Sequence, residues 1–547
     1  MLYRTAFALP LIALATAQSE SESPILPADD CPILGPNFPS DFDPNQSHSI
    51  KEAIKSFPSL IDILFESEKI PKNATSFYID VFSAQTNASI YNYSHSAELL
   101  DSALTTGNLD DNTIFRIGSV SKLHTVYAIL NVAGIEVFQH PVTQYLPELK
   151  GNTEKSKIIW EEITVGALAS QQGGTGGFPF LAEMRDLKRP IIPAFQTAVY
   201  SDAGFGVLGR VLERLTNQTY EDALQTHLAK PLRLPSTGGK LPVAEGLNAL
   251  AIPGNSSVTG WGKDNHVTVS SGGLYSNAHD LRELGLSILH NELLCEDVTR
   301  EWMKPRSHTA SLTTSVGAPW EIYRLTVPVS PGSNRTRVSD LYTKLGGQVA
   351  YSAFLALSPD HDIGYSLLVA GTTATTDRIP LRDLIGEAFI PAAEAAAFEN
   401  AAANYAGTFA DPNNELSNLT LTVDEDKVGL GLPTLFIDGV NWLGNITELG
   451  LDPSLSDLFS YRLFPIGPEY TSSSNGLLVK KFSAVSGPAD GAPRSQVEGG
   501  KGLFDDGCTV WETTGFYSTG DFELEVVKGQ VTAVRMMDSN VTMTRVE

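Results

Sequence analysis

Cysteine is scarce in this chain of 547 residues, which contains only Cys31, Cys295 and Cys508. A small disulfide-stapled scaffold is therefore excluded, because such scaffolds need several closely spaced cysteines. Cys31 and Cys508 lie near opposite ends of the chain, and we expect them to form one bridge in an oxidising compartment. Cys295 lies in a segment with a helical pattern, where we expect a buried apolar thiol.

Positive charge is also in short supply. The chain has 38 Lys and Arg residues against 63 Asp and Glu residues, a formal charge of −25. Such a surface repels phosphate groups, so neither nucleic acid nor an anionic membrane is an expected partner. Beyond the N-terminus no stretch reaches about 18 consecutive apolar residues, which argues against stable membrane insertion. No H-E-x-x-H motif occurs, so no metal and no cofactor is indicated, and the oligomeric state stays open.

The N-terminus has the pattern of a targeting segment. Arg4 precedes a short apolar run, and Ala15-Thr16-Ala17 fits a small-x-small cleavage site. We predict a signal peptide over residues 1–17 and a secreted or lumenal protein; a buried or anchoring N-terminal helix is the alternative. Ten N-x-Ser/Thr sequons favour a eukaryotic glycoprotein. They lie at Asn45, Asn73, Asn87, Asn92, Asn217, Asn255, Asn334, Asn418, Asn445 and Asn540.

Hydrophobic periodicity divides the remainder into two predicted domains, residues 18–404 and 405–547. In the first, 3.6-residue patterns predict helices and two-residue alternation predicts strand pairs. The helices are expected over residues 50–64 with a break or kink at Pro58, from the 119–122 region to Gly134, over 200–216, and as several closing helices up to about 404. The strand pairs are expected over 76–95 and 352–371. Short alternating runs after residue 405 predict a β-rich barrel or sandwich.

One short motif could carry chemistry. Ser119 and Lys122 form an S-x-x-K sequence at the start of a predicted helix, and residues three apart share a helix face. A lysine placed there could accept the serine proton and make the serine a nucleophile. The alternative is an N-cap serine beside a solvated lysine. His124, two residues further on, is expected to be a structural polar group.

Two later segments favour the chemical interpretation. Tyr200-Ser201-Asp202 opens a predicted helix, and Lys344-Leu345-Gly346-Gly347 opens a predicted strand pair. With S-x-x-K in this order, and with "ITVGALASQQGG" and "SSGGLYSNAHDL" between, the chain resembles the serine β-lactamase and penicillin-binding-protein superfamily, in particular class C β-lactamases and secreted fungal β-lactamase-like proteins. The resemblance implies an α/β (α+β) fold with an antiparallel sheet flanked by helices and an all-helical insertion, followed by the β-rich domain.

The resemblance also implies roles for the matching residues. Ser119 would be the acylated nucleophile, Lys122 and Tyr200 would transfer protons in an undecided order, and Lys344 would place positive charge near Tyr200 or bind a carboxylate. The backbone N–H groups of Ser119 and Gly347 would form the oxyanion hole. Gly346 would let the backbone approach the bound acyl group closely.

Asp202 and Leu345 depart from the family pattern, which has asparagine and threonine there. A carboxylate at position 202 would stabilise the ammonium of Lys122, and leucine at 345 removes a hydroxyl contact to substrate. These substrate-contacting positions weaken the case for β-lactam hydrolysis. We therefore expect a secreted serine hydrolase acting on a small-molecule ester, amide or lactam. The alternatives are an acyltransferase of secondary metabolism that uses the same serine, and a catalytically silent binding protein.

Overall fold

The structure is a computed structural model that describes residues 32–151, 158–176, 191–243, 246–263, 268–443, 459–467, 469–472, 476–488, 520–537 and 539–546. The predicted signal peptide, Cys31, Cys508 and Asn445 lie outside the described residues. The signal peptide and the disulfide bridge therefore remain predictions.

An antiparallel sheet of eight strands forms the centre of the first domain. Its strand order is β2-β1-β10-β9-β8-β7-β6-β5, and β3 pairs with β4 in a separate two-stranded sheet. The strands are β1 (Ser76–Ser83), β2 (Ala88–His95), β3 (Phe115–Arg116), β4 (Tyr275–Ser276), β5 (Ser307–His308), β6 (Thr314–Val316), β7 (Glu321–Pro328), β8 (Thr336–Gln348), β9 (Tyr351–Ser358) and β10 (Ile363–Ala370).

Helices cover both faces of this sheet. The α-helices of the described residues are α1 (His48–Glu66), α2 (Ser121–Ala133), α3 (Val165–Ala169), α4 (Asp202–Thr216), α5 (Tyr220–Leu224), α6 (Ser256–Thr259), α7 (Val269–Gly272), α8 (Ala278–Leu289), α9 (Glu296–Trp302) and α10 (Ala374–Asn404). Helices α1 and α10 lie on one face, and α8 lies on the other beside the helical insertion between β2 and β5. The expected fold class is confirmed.

Strand β1 shows why the central strands have few polar positions. Phe77, Ile79 and Val81 belong to the apolar cluster under α1 and α10, whereas Tyr78 and Phe82 belong to the cluster under the helical insertion. Because alternate side chains of a strand point to opposite faces, a sheet covered on both sides buries every position. All eight residues of β1 are buried accordingly.

Most helices predicted from periodicity are confirmed, with two differences. Helix α1 continues through Pro58 without a break. The closing region is one helix of 31 residues, α10, so the prediction of several helices was wrong. Its buried face runs through Leu381, Ile385 and Phe389 between two internal prolines, and this continuous packing offsets the lost backbone hydrogen bonds.

The β-rich part is a barrel. Strand β12 pairs with both β11 and β13, so the sheet closes on itself in the order β12-β11-β20-β19-β18-β17-β15-β13-β12. Its strands are β11 (Gly407–Asp411), β12 (Asn414–Thr422), β13 (Leu430–Ile437), β14 (Val440–Asn441), β15 (Phe459–Pro465), β16 (Tyr470–Thr471), β17 (Leu478–Pro488), β18 (Asp521–Val527), β19 (Gln530–Met536) and β20 (Val541–Arg545). Closure leaves no open edge in the main ring of strands.

Surface features bear on several expectations. Cys295 is exposed as a free thiol just before α9, so the expectation of a buried thiol was wrong. Of the nine sequon asparagines in the described residues, eight are exposed and Asn418 is half-buried.

No helix in the described part of the chain combines the length and apolarity that crossing a bilayer requires. In the same residues, no group of three or more acidic, histidine or cysteine side chains is arranged to hold a metal ion.

Candidate active site

Ser119 lies in a tight turn rather than at a helix cap. It is the middle residue of a 3-10 turn, Gly118–Val120, which runs directly into α2. The side chain of Ser121 fixes this turn, because its Oγ donates to the carbonyl of Gly118 at 2.6 Å and accepts the N–H of Leu274 at 3.1 Å. The interpretation of Ser119 as an N-cap is therefore wrong.

Lys122 is the second residue of helix α2, where every residue from Ser121 to Leu130 is buried. Its Nζ donates to Ser119 Oγ at 3.0 Å, to Asp202 Oδ1 at 2.6 Å and to the carbonyl of Ser271 at 2.7 Å. An ammonium group has three N–H donors, and here each has an acceptor. The alternative of a solvated lysine is therefore wrong, because Lys122 is fully buried and contacts the serine.

Asp202 is the first residue of α4. Ser201 caps this helix by accepting the N–H of Gly204 at 2.9 Å, and its own N–H donates to Gln171 Oε1 at 2.8 Å. A carboxylate in the first turn is favoured by the helix dipole. Capping and dipole together hold the Asp202 carboxylate against Lys122.

Tyr200 precedes this cap, and 49 % of its surface is exposed. Its ring centroid lies 4.7 Å from Lys122 Nζ and 5.4 Å from Lys344 Nζ. Two basic side chains thus flank one phenol ring. The three chemistry-bearing segments predicted from sequence therefore meet at one place.

The end of β8 packs against the Ser119 turn. Pairing between β7 and β8 ends at Glu321 and Thr343, and residues 344–348 lie beside the turn instead. A Cβ at Gly346 would lie 2.0 Å from the carbonyl oxygen of Ile117, and a Cβ at Gly118 would lie 2.4 Å from the backbone nitrogen of Gly347. The close approach therefore requires glycine on both sides, and it places the Gly347 backbone beside Ser119.

Lys344 is buried and already paired. Its Nζ forms a short hydrogen-bonded ion pair with Glu321 and donates to the carbonyl of Leu345 at 2.9 Å. The second carboxylate oxygen of Glu321 accepts the N–H of Leu345 at 2.9 Å. Burial lowers the pKa of Lys344, but the charges of Glu321 and Tyr200 outweigh burial, so the pKa is raised and the group stays cationic.

Leu345 points elsewhere. Its half-buried side chain packs with the cluster on the α1 and α10 side of the sheet, whereas Lys344 lies on the Tyr200 side. Sequence reasoning missed Glu321 and the Ser271 carbonyl. The "SSGGLYSNAHDL" match contained Ser271, but only the β7–β8 register brings Glu321 to Lys344.

His124 has no place in this constellation. It is fully buried, and its Nδ1–H donates to the carbonyl of Val120 at 3.1 Å, while Nε2 has no partner. Burial lowers the pKa of His124 to about 4, and the hydrogen bond to Val120 only partly offsets it. The side chain is a neutral structural group, in agreement with the expectation.

Comparisons with known proteins match both parts of the chain. The sequence profile of the family described as "Beta-lactamase" matches residues 86–389, and that of a "Beta-lactamase-like-like, C-terminal domain" matches residues 397–547. A "Beta-lactamase-like protein" of Arthroderma benhamiae is 26 % identical over 88 % of this chain and 89 % of its own length. A "Probable hydrolase" of Phoma sp. is 26 % identical over 74 % of this chain and 73 % of its own. A solved class C β-lactamase from Rhodobacter sphaeroides covers 61 % of this chain and 99 % of its own at 21 % identity, with a TM-score of 0.47.

Proposed function

The chain belongs to the β-lactamase family of serine hydrolases, and from that membership we propose that it cleaves an ester or small amide through an acyl-enzyme on Ser119. The observation that carries the proposal is the 3.0 Å hydrogen bond between Lys122 Nζ and Ser119 Oγ. It joins a nucleophile to a proton-transfer partner within the reach that such catalysis needs.

The proposed reaction has two halves. Ser119 Oγ attacks the substrate carbonyl carbon and gives up its proton, and the backbone N–H groups of Ser119 and Gly347 hold the negative oxygen that forms. The bond to the leaving alcohol or amine then breaks, and the leaving group takes the proton. Water attacks the resulting acyl-enzyme in the same way, releasing the acid and restoring Ser119.

We assign the base to Tyr200. Lys122 Nζ contacts Ser119 Oγ, Asp202 Oδ1 and the Ser271 carbonyl, so its hydrogen-bonding capacity is already taken up by these three partners. The ring centroid of Tyr200 lies 4.7 Å from Lys122 Nζ and 5.4 Å from Lys344 Nζ, which leaves the Tyr200 hydroxyl as the proposed proton acceptor. Lys122 then keeps Ser119 Oγ oriented.

The site favours a neutral ester over a β-lactam, because a β-lactam substrate carries a carboxylate. Asp202 adds a negative charge beside the nucleophile. The ammonium of Lys344 is already neutralised by Glu321. Each of these features weakens the binding of an anionic substrate more than that of a neutral ester.

The decisive experiment compares the wild type with Ser119→Ala and, as a matched control, Ser311→Ala in an exposed loop. Each protein is incubated with p-nitrophenyl butyrate, a chromogenic cephalosporin and a fluorophosphonate probe. We expect ester turnover and labelling in the wild type and Ser311→Ala, neither in Ser119→Ala, and slow cephalosporin hydrolysis. A wild type without turnover or labelling would falsify the proposal, whereas labelling with turnover only after an alcohol is added would indicate an acyltransferase.

We also propose that the protein is secreted and glycosylated. The N-terminal pattern over residues 1–17 and the exposed positions of eight sequon asparagines support this. Expression in a eukaryotic secretory host should give medium-borne protein that begins at Gln18 and loses mass on treatment with a peptide N-glycosidase. Retention of residues 1–17 or an unchanged mass would contradict it.

A further inference from the structure

The peptide group between Gly346 and Gly347 is held by two side chains from outside its own strand. The carbonyl oxygen of Gly346 accepts hydrogen bonds from Ser352 Oγ and from Arg378 Nη1, each at 2.8 Å. Arg378 Nη1 also donates to Ser352 Oγ through a short contact. Arg378 Nη1 thus uses both of its N–H groups, one on Gly346 O and one on Ser352 Oγ, while the Ser352 hydroxyl donates to Gly346 O. The three atoms form a triangle in which each of these donors has an acceptor.

Fixing this carbonyl fixes the amide on its other side. In a planar trans peptide the C=O and the following N–H point in opposite directions, so Gly346 O sets the direction of Gly347 N–H. The backbone of Gly347 faces the Ser119 turn, where a Cβ at Gly118 would lie 2.4 Å from its nitrogen. Strand β9 pairs with this part of β8, with Gly346 opposite Ala353 and Gly347 opposite Ser352, but β7 does not, so no strand lies beside the peptide on the β7 side.

Arg378 brings a positive charge to the back of this peptide group. It lies near the start of α10 and is only 7 % exposed, and its Nε is buried without a partner. Burial, and then the charge of Arg382, lower the pKa of Arg378 to about 10, which leaves it cationic at neutral pH. A cationic donor makes a stronger hydrogen bond than a neutral one, and hydrogen bonds in a chain polarise each other.

We infer that Arg378, together with Ser352, positions and polarises the Gly346–Gly347 peptide group so that Gly347 N–H is a strong, fixed oxyanion donor. Arg378 is a positioning residue, because it acts through the peptide group and contacts no reacting atom. The inference rests on the proposed serine hydrolase activity. Ordered donors aimed at a developing oxyanion are among the largest contributions to acyl transfer, so loosening one should reduce kcat.

The test measures kcat and KM for p-nitrophenyl butyrate in the full chain with Arg378→Ala, Arg378→Lys and Ser352→Ala. We expect Arg378→Ala to lower kcat by about 10- to 100-fold with KM within about threefold of the wild type, below the loss from removing an oxyanion donor outright. Arg378→Lys should recover part of the loss, because a lysine keeps the charge and one donor. Ser352→Ala should have a kcat above those of the two Arg378 variants and below that of the wild type. A purely structural role would lower the melting temperature without this separation of kcat from KM.

Arg382→Ala is the matched control, since Arg382 lies one turn further along α10 and contacts Asp383 and the rings of Tyr323 and Phe354 instead of Gly346. It should retain kcat within about twofold. The inference is overturned if all three test variants keep the wild-type kcat, or if Arg378→Lys loses as much as Arg378→Ala. If Arg378→Ala does not fold, Ser352→Ala and Arg378→Lys decide the question by the same criteria. A wild type that neither turns over the ester nor reacts with a fluorophosphonate overturns the proposed function, and the inference falls with it.

Discussion

At the scale of single residues, the site depends on how the three N–H donors of Lys122 are divided. One orients Ser119 Oγ, one anchors the lysine to the Ser271 carbonyl, and one pairs with Asp202. Asparagine at position 202 could accept the same hydrogen bond but would bring no charge. The carboxylate therefore adds an ion pair to the hydrogen bond at Lys122, and in the proposed mechanism the proton of Ser119 passes to Tyr200.

Asp202→Asn tests this division. Losing the charge but not the acceptor should lower the free energy of unfolding by about 1–2 kcal/mol, less than the loss of a whole buried ion-pair partner, because the amide oxygen can still accept from Lys122. The ratio of cephalosporin to ester turnover should rise several-fold, since a negative charge near the nucleophile is gone. Urea unfolding and paired kinetics measure both quantities.

Asp297→Asn provides the control for this change. Asp297 pairs with Arg300 on the surface of α9, and its side chain is 87 % exposed. An exposed pair contributes little, so the variant should stay within about 0.5 kcal/mol of the wild type. An unchanged turnover ratio in Asp202→Asn would show that the carboxylate does not discriminate against anionic substrates.

His124 gives a pH dependence with a defined sign. Its pKa falls from the ordinary 6.5 to about 4 in the folded protein because the side chain is fully buried. The unfolded chain therefore binds the proton first, and the folded state loses stability as the pH falls from about 6.5 towards 4. We expect wild type to lose about 3 kcal/mol more than His124→Gln over that window in urea unfolding. His308→Gln, at an exposed histidine, is the control, and its free energy of unfolding should follow that of the wild type at every pH. Parallel plots of this free energy against pH for the wild type and His124→Gln would refute the lowered pKa of His124.

At the scale of elements, the contact between β8 and the Ser119 turn determines the geometry of the site. Gly118 and Gly346 allow two backbone segments to approach more closely than any side chain would permit. The strand leaves β7 at Thr343 and continues beside the turn. The proposed oxyanion donors, the N–H groups of Ser119 and Gly347, thus come from two elements that lie this close because Gly118 and Gly346 have no Cβ atoms.

Gly346→Ala should separate these elements. The new methyl group would lie 2.0 Å from the Ile117 carbonyl oxygen and 3.0 Å from the Ser119 nitrogen, so the strand or the turn must move. We expect kcat to fall by about 100-fold, as for a displacement near 1 Å, and the free energy of unfolding to fall by about 1–3 kcal/mol. Ester kinetics and urea unfolding are the measurements. Gly262→Ala, where the nearest atom would be 3.9 Å away, is the control, and normal kinetics in Gly346→Ala would refute the close approach.

Local patterns and long-range contacts differ in what the sequence reveals. The spacing of Ile50, Phe57 and Ile61 is sufficient to predict α1, because helix periodicity depends only on neighbours in the chain. The pairing of Glu321 with Lys344 depends on the register of β7 against β8, which two-residue alternation alone does not specify. Arg378 reaches Gly346 from a helix that begins 28 residues later. Motif resemblance supplied Ser119, Lys122, Tyr200 and Lys344, but their partners required the fold.

At the scale of the whole molecule, a buried polar network joins the first domain to the barrel. Glu394 on α10 accepts hydrogen bonds from Arg337 on β8, from His361 and from Asn37. Asn37 in turn accepts the N–H of Gly429 at 2.6 Å, at the start of the barrel strand β13. The N-terminal segment is therefore held between α10 and the barrel, and the carboxylate of Glu394 is the centre of the connection.

Glu394→Gln should weaken both domains together. Burial alone would raise the pKa of Glu394, but the charge of Arg337 and the hydrogen bond from His361 lower it from 4.5 to about 2. Its contribution is therefore present above pH 4.5 and is lost as the pH falls from 4.5 towards 2. We expect Glu394→Gln to cost about 3–5 kcal/mol at pH 7, because the Arg337 guanidinium is left buried without its main counter-charge.

Urea unfolding at several pH values, with a control variant on the same helix, tests the contribution of Glu394. Urea unfolding at pH 7, 4.5 and 3 should show the gap between wild type and Glu394→Gln narrowing only below pH 4.5, since the wild-type carboxylate is stabilised down to about pH 2. Glu387→Gln changes an exposed carboxylate on the same helix and should match the wild type at every pH. Equal stability of wild type and Glu394→Gln at pH 7 would mean that the network joins the domains without stabilising them, and the N-terminal segment would then be held by its other contacts, such as the ion pair of Asp41 with Lys480 and the apolar contacts of Phe38 and Phe42.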